Sequence, residues 1–282
     1  MKVGAGRAAL LTVAAMIAFA GNSLLCRVAL RDTPIDAASF TAVRMVSGAI
    51  ALWLIVRLRD GPVPAAGSWP SAVALFAYAA CFSFAYLSLT AGTGALLLFG
   101  AVQATMIGVG LWRGERMQPR QIAGLALALA GLVGLLLPGL TAPPATGAAL
   151  MIAAGIAWGV YSLRGKGAGD PTRVTAGNFV RSVPLAVALV AATIPWLSFD
   201  AMGVVYAAIS GAVASGIGYA IWYTALHGLR ATSAATVQLS VPVIAAAGGI
   251  AFLGELLTLR FVLASIAILG GIGLVVAPAR AK

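Results

Sequence analysis

Leu111-Trp112-Arg113-Gly114-Glu115-Arg116-Met117 and Ala251-Phe252-Leu253-Gly254-Glu255-Leu256-Leu257 are the two stretches whose reading decides the fold. Each carries a Gly-Glu pair that closes one long apolar run and opens the next, and the pairs stand 140 positions apart (255 minus 115). At the same offset Arg120 falls on Arg260, Leu129 on Leu269 and Gly131 on Gly271. An apolar chain made of two similar halves is the pattern of a membrane carrier built from structural repeats.

Composition points the same way. Hydrophobic residues make up 61% of the 282 positions and charged residues 9%, against roughly 25% charged in a soluble domain. That excess of apolar surface has to face lipid. The net charge of +11 suggests no nucleic-acid partner, because the basic residues lie between apolar runs and form no single patch. Cys26 and Cys81 sit in or beside apolar runs without pairing or ligand spacing, so two inert thiols are expected.

Ten apolar stretches, each long enough to cross a ~30 Å hydrocarbon core, are expected near 8–26, 37–56, 70–90, 93–112, 119–137, 147–164, 174–194, 202–226, 233–253 and 259–277. The expected fold is therefore an all-α membrane protein of ten transmembrane helices. Its units are a first five-helix repeat, 1–140, and a second, 141–282. Five is odd, so the second repeat enters the membrane from the opposite side and the two are inverted.

With the N-terminus inside, thirteen Lys and Arg at or beyond the span ends are cytoplasmic, and three (Arg27, Arg31 and Arg260) are not. This positive-inside bias places both termini in the cytoplasm of an inner-membrane, multi-pass protein. The first apolar run resembles a cleavable signal peptide, but Ala8-Ala9-Leu10 recurs as Ala148-Ala149-Leu150, so it reads as a retained helix with a mate in the second half.

The order Tyr223-Thr224-Ala225-Leu226, Ala234-Ala235, Val241-Pro242-Val243, Leu253-Gly254-Glu255-Leu256-Leu257-Thr258 and Gly270-Gly271-Ile272-Gly273 resembles the drug/metabolite transporter superfamily, specifically its EamA-type ten-helix members. The first half keeps Gly114-Glu115-Arg116-Met117 but has Val102-Gln103 where the second has Pro242-Val243. The resemblance implies transport of amino acids or related small metabolites, often export. It implies no cofactor.

All seven carboxylates (Asp32, Asp36, Asp60, Glu115, Asp170, Asp200 and Glu255) fall at or beyond the ends of expected helices. A coupling proton is usually held on a buried carboxylate, so gradient-driven movement is expected ahead of proton-coupled antiport. Two charges lie inside spans: Arg44 and Arg181, each about seven residues into its helix and 137 apart (181 minus 44). Three readings stay open: snorkelling, capture of a substrate carboxylate, or crossed gate pairs Arg44–Glu255 outside and Arg181–Glu115 inside. His227 is expected at an interface.

Polar and aromatic side chains that lipid would not welcome are the cavity candidates. These are Asn22, Ser23, Tyr78, Ser83, Tyr86 and Gln103 in the first half, then Trp158, Tyr161, Asn178, Tyr219, Trp222, Tyr223, Gln238 and Ser240 in the second. Aromatic faces with polar tips suit an amphipathic amino acid or a planar cation, so export of lipophilic cations or drugs is the alternative. Pro184 and Pro242 are expected to interrupt their helices, with Pro242 as hinge. Catalytic constellations, metal-ligand clusters and phosphate loops are missing from the sequence. A carrier is expected, not an enzyme, with a small-molecule substrate and the lipid bilayer as partners.

Overall fold

In lipid every backbone N–H and C=O must find a partner within the chain, and the apolar runs accordingly fold as helices. The computed structural model describes residues 5–60, 66–114, 117–137, 139, 142–165, 169–226 and 237–276. Its helices are α1 (Ala5–Asp32), α2 (Ala37–Asp60), α3 (Trp69–Tyr86), α4 (Ala91–Trp112), α5 (Pro119–Leu136), α6 (Ala145–Gly165) and α7 (Pro171–Ala192). The next, α8, is α-helical over Ala201–Ile209, π-helical over Ser210–Ile217 and α-helical again over Gly218–Leu226; α9 (Ser240–Leu253) and α10 (Leu259–Val276) follow. Eight helices among the described residues are long and apolar enough to cross a membrane, and α9 and α10 are shorter apolar ones. No strand occurs among the described residues.

Polar side chains set the helix starts. Asp36 accepts from the backbone N–H of Ala38 and Ser39, Thr90 from Thr93, Asp170 from Arg173 and Asp200 from Gly203. Each satisfies a donor that the first helical turn leaves open. Glycine sets two of the stops. Gly114 follows α4 at φ 89° and Gly254 caps α9 at φ 63°, a left-handed backbone that glycine adopts without a Cβ penalty. Gly114 and Gly254 therefore perform the same service in each half.

The halves pack with a pseudo-two-fold pattern. α2 lies against α7, α4 against α9 and α5 against α10, each helix meeting its own mate. The remaining major packings come in exchanged pairs: α3 on α6 with α8 on α1, α4 on α6 with α9 on α1, and α3 on α7 with α8 on α2. Small residues permit the closest approaches. A Cβ on Gly124 would stand 2.6 Å from the Gly271 carbonyl oxygen, and one on Gly131 2.7 Å from Ala267, so α5 and α10 touch backbone to backbone.

Two sequence expectations are corrected here. α1 continues to Asp32, which puts Arg27 and Arg31 on its last turns and not in a loop. α7 runs through Pro184 to Ala192, because packing on α2 and α3 outweighs the single backbone bond that a proline removes.

Candidate functional site

Where α1, α3, α6 and α8 meet, two helices from each half contribute a continuous aromatic cluster. The Tyr78 ring lies 4.9 Å from that of Trp158, and Trp158 lies 5.0 Å from Tyr219. Phe19 meets Tyr219 and Trp222 edge-on at 5.9 Å, while Phe82 sits 5.4 Å from Tyr78. These geometries fall within the attractive range for tilted and T-shaped pairs. The cavity they enclose, lined by Asn22, Ser23, Leu98 and Phe99 as well, measures about 20 Å³, room for roughly one water.

One charge stands at this cluster. Arg44 is fully buried, with its guanidinium carbon 4.9 Å from the Phe82 ring centre and 5.1 Å from that of Tyr78. Its Nη2 donates to the Tyr78 hydroxyl at 3.0 Å and its Nε to Ser215 Oγ at 3.4 Å; Nη1 has no partner. Asn22 Nδ2 donates to the same Tyr78 hydroxyl at 3.3 Å, and Ser210 Oγ donates to Asn22 Oδ1 at 2.6 Å. Burying an ion costs several kcal/mol. Cation–π contacts offset about 0.5–2 kcal/mol each, and hydrogen bonds to a charged group about 1.5–3 kcal/mol each when short. The charge is tolerated, and it is not neutralised.

The π-helical turn of α8 positions Ser210 and Ser215. Hydrogen bonding from i to i+5 brings residues five apart toward one face, so one serine reaches Asn22 and the other Arg44. Gly211 lets this segment lie on α2: its Cβ would collide with the Arg44 carbonyl and Ser47 Oγ.

Contacts between the halves lie on either side of the cluster. At one end Glu255 accepts from the Ala91 N–H at 2.9 and 3.0 Å and lies 3.4 Å from Arg27 Nε. There Arg31 also donates to the Leu253 carbonyl at 2.6 Å, and Asp36 Oδ2 accepts from the Ser198 N–H at 2.9 Å. At the other end Arg59 pairs with Asp170 at 2.8 Å, Asn178 Oδ1 accepts from the Ser68 N–H at 2.9 Å, and Arg164 donates to Ser71 Oγ at 3.1 Å.

The expected crossed pair Arg44–Glu255 is not formed. Arg44 is turned to α3 and α8, and Glu255 is held by α1 and the start of α4; lying toward the same side did not imply a shared face. Arg181 Nη1 donates to the carbonyls of Ala66 and Gly177, so it holds the approach to α3. Its expected partner Glu115 lies outside the described residues, as do His227 and the side chain of Tyr223.

The other candidates divide. Asn22, Tyr78, Trp158, Tyr219 and Trp222 join the cluster, and Tyr161 reaches it through Trp158 at 5.5 Å while accepting from Asn178 Nδ2. Ser83 bonds the Ala79 carbonyl of its own helix, and the Tyr86 hydroxyl donates to the Ala91 carbonyl, near Glu255. Gln103 is buried in a separate groove among α4, α5 and α10. Gln238 is half-buried just before α9. Pro242 lies in the first turn of α9, beside an apolar groove of about 390 Å³ against α10. Its ring excludes a helical carbonyl at Gln238, and the helical path breaks at Leu239.

Phe19, Phe82, Ser210, Ser215, Arg27 and Arg59 were missed by sequence reasoning. The serines next to Gly211 and Gly216, in an otherwise apolar span, were the available signal. Cys26 and Cys81 are unpaired. No group of three or more potential metal ligands occurs among the described residues.

A family model described as "EamA-like transporter family" matches this chain twice, over residues 6–137 and 145–277. An uncharacterized protein of Pseudomonas aeruginosa is 57% identical over 273 residues, which cover 96% of this chain and 95% of that protein. A solved crystal structure matches with a TM-score of 0.68 at 19% identity, over 95% of this chain and 96% of its own. That likeness concerns the fold.

Proposed function

We propose a carrier mechanism on the premise that the chain belongs to the EamA-like transporter family. It is a multi-pass membrane protein of a family that moves small molecules. Its cargo is amino acids or related metabolites, carried outward across the inner membrane, with both termini cytoplasmic. The repeats 1–140 and 141–282 exchange roles to expose one central site alternately to either side.

One observation carries this reading: the aromatic cluster draws on both halves, and the contacts on either side of it also join one half to the other. Parting the halves at the Glu255 end breaks Arg27–Glu255, Ala91–Glu255 and Asp36–Ser198; parting them at the other end breaks Arg59–Asp170 and Asn178–Ser68. The ion pair at the second end is weak enough to exchange. Arg59 and Asp170 are 44% and 41% exposed, and such surface pairs contribute about 0–1 kcal/mol.

Among the described residues the six acidic ones, Asp32, Asp36, Asp60, Asp170, Asp200 and Glu255, lie at or next to helix ends and none lies at mid-span, which supports movement down the substrate gradient without a carboxylate-borne proton. Counterflow of labelled amino acids in proteoliposomes, with and without a pH gradient, tests the proposal. Saturable exchange without chemical change is expected. Absence of exchange for every amino acid would end the amino-acid reading, and uphill uptake driven by the pH gradient alone would end the uncoupled one.

A further inference from the structure

The structure assigns Arg44 as a carboxylate-binding residue, the anchor of a subsite for ligands with one carboxylate and an apolar or aromatic side chain, the amino acids of the proposed function included. This inference rests on the transport reading for its physiological meaning, but it makes a binding claim of its own.

Three observations converge on it. The guanidinium is fully buried with Nη1 unpartnered, and what it does bind is neutral: a phenol at 3.0 Å and a serine hydroxyl at 3.4 Å. A carboxylate is the partner whose geometry and charge a guanidinium fork matches. Next, further hydrogen-bonding groups gather beside it. Asn22, Ser210 and the Tyr78 hydroxyl form one connected set, so an anion held at Arg44 would find neutral donors around it. Last, Tyr78 and Phe82, against which the guanidinium lies, also line the central cavity, whose other walls include Phe19, Trp158, Tyr219 and Leu98, surfaces for an apolar or planar body.

The same charge argues against the alternative of lipophilic cations. Aromatic faces attract a cation, yet a desolvated positive charge at the cluster repels one, and no described carboxylate pairs with Arg44 to reverse the sign. In this conformation the cavity has room for about one water, so the ligand is admitted only when the halves part.

The test uses the full-length chain in detergent and the fluorescence of Trp158 and Trp222 within the cluster. Probes are 3-phenylpropionate, its primary amide and tetraphenylphosphonium. Saturable titration by the acid is expected, with the amide and the cation at least tenfold weaker, and Arg44→Gln should lose at least tenfold in affinity for the acid only. The wild-type comparison of acid with amide stands even if Arg44→Gln fails to fold, and Tyr78→Phe offers a milder perturbation with a smaller loss. Equal binding of acid and amide, tighter binding of the cation, or no saturable binding of the acid would each overturn the assignment. Amino-acid counterflow by the same preparation separates the claims. Counterflow with no acid preference leaves the carrier reading standing and removes Arg44, whereas acid-selective binding without counterflow keeps Arg44 and removes the amino-acid reading.

Discussion

Glu255 and Arg27 approach to 3.4 Å with side chains only 8% and 14% exposed, and the same carboxylate receives the first free N–H of α4. One residue of the second half thus caps a helix of the first half. Glu255→Gln retains the size and weakens both interactions. A stability loss of about 1–2 kcal/mol is expected, from a partly desolvated pair plus a helix-start charge. A Ser88→Cys probe, on the neighbouring cavity of about 190 Å³, should then react at least threefold faster with an impermeant maleimide. Unchanged reactivity would show that Glu255 does not hold this end shut.

Glycine substitutions should separate backbone need from packing need. Nothing lies within 4 Å of a Cβ built on Gly254 or on Gly270, but only Gly254 has positive φ. Gly254→Ala should cost about 1–2 kcal/mol from the left-handed backbone alone. Gly270→Ala, inside α10, should be neutral or stabilise by about 0.5–1 kcal/mol. Thermal unfolding in detergent, followed by far-UV circular dichroism, gives both values.

Acid sensitivity is expected at Asp36, in the connection between α1 and α2. Burial pushes its carboxyl up, but backbone N–H bonds from Ser198, Ser39 and Ala38 and the Ser39 hydroxyl outweigh this, and the net shift is downward. A depressed carboxyl contributes stability that is present above the unfolded value, about 3.9, and is lost as pH falls through the lower folded value. Asp36→Asn should therefore be less stable than wild type at neutral pH and show a flatter stability profile below about pH 4. Parallel profiles in that window would refute the assignment.

At the opposite end Asp170 has two partners, Arg59 and the Arg173 N–H that it caps. Arg59→Ala should cost under about 1 kcal/mol, and Asp170→Ala should cost more, by the further ~0.5–2 kcal/mol of a lost N-cap. A double-mutant cycle in low and high salt checks the split, since only the ion-pair part should be screened.

Much of the fold was legible because membrane helices announce themselves by length. α8 was expected at 202–226 and occupies 201–226; α5 was expected at 119–137 and occupies 119–136. The ends were less legible where a polar residue rides on a helix, as Arg27 and Arg31 do on α1. In the site, Asn22, Tyr78, Trp158 and Tyr219 were marked by chemistry, since amides and phenols are costly against lipid. Gln103 was marked by the same rule and lies elsewhere, because helix–helix contacts bury amides too. Ser210 and Ser215 escaped because α-helical periodicity sets them on different faces and only the π-turn realigns them.

The sequence by itself determined the helical class, the doubled architecture and the use of Gly114 and Gly254 as helix stops. Each follows from local rules: apolar length, self-similarity at a constant offset, and the backbone freedom of glycine. Only the tertiary structure decided that Arg44 faces Tyr78 and that Glu255 faces Arg27. Repeat offset and depth along a helix place a charge along one axis, whereas its partner depends on the rotation of that helix and on which neighbour packs there. Those two quantities are set by the summed fit of the described helices.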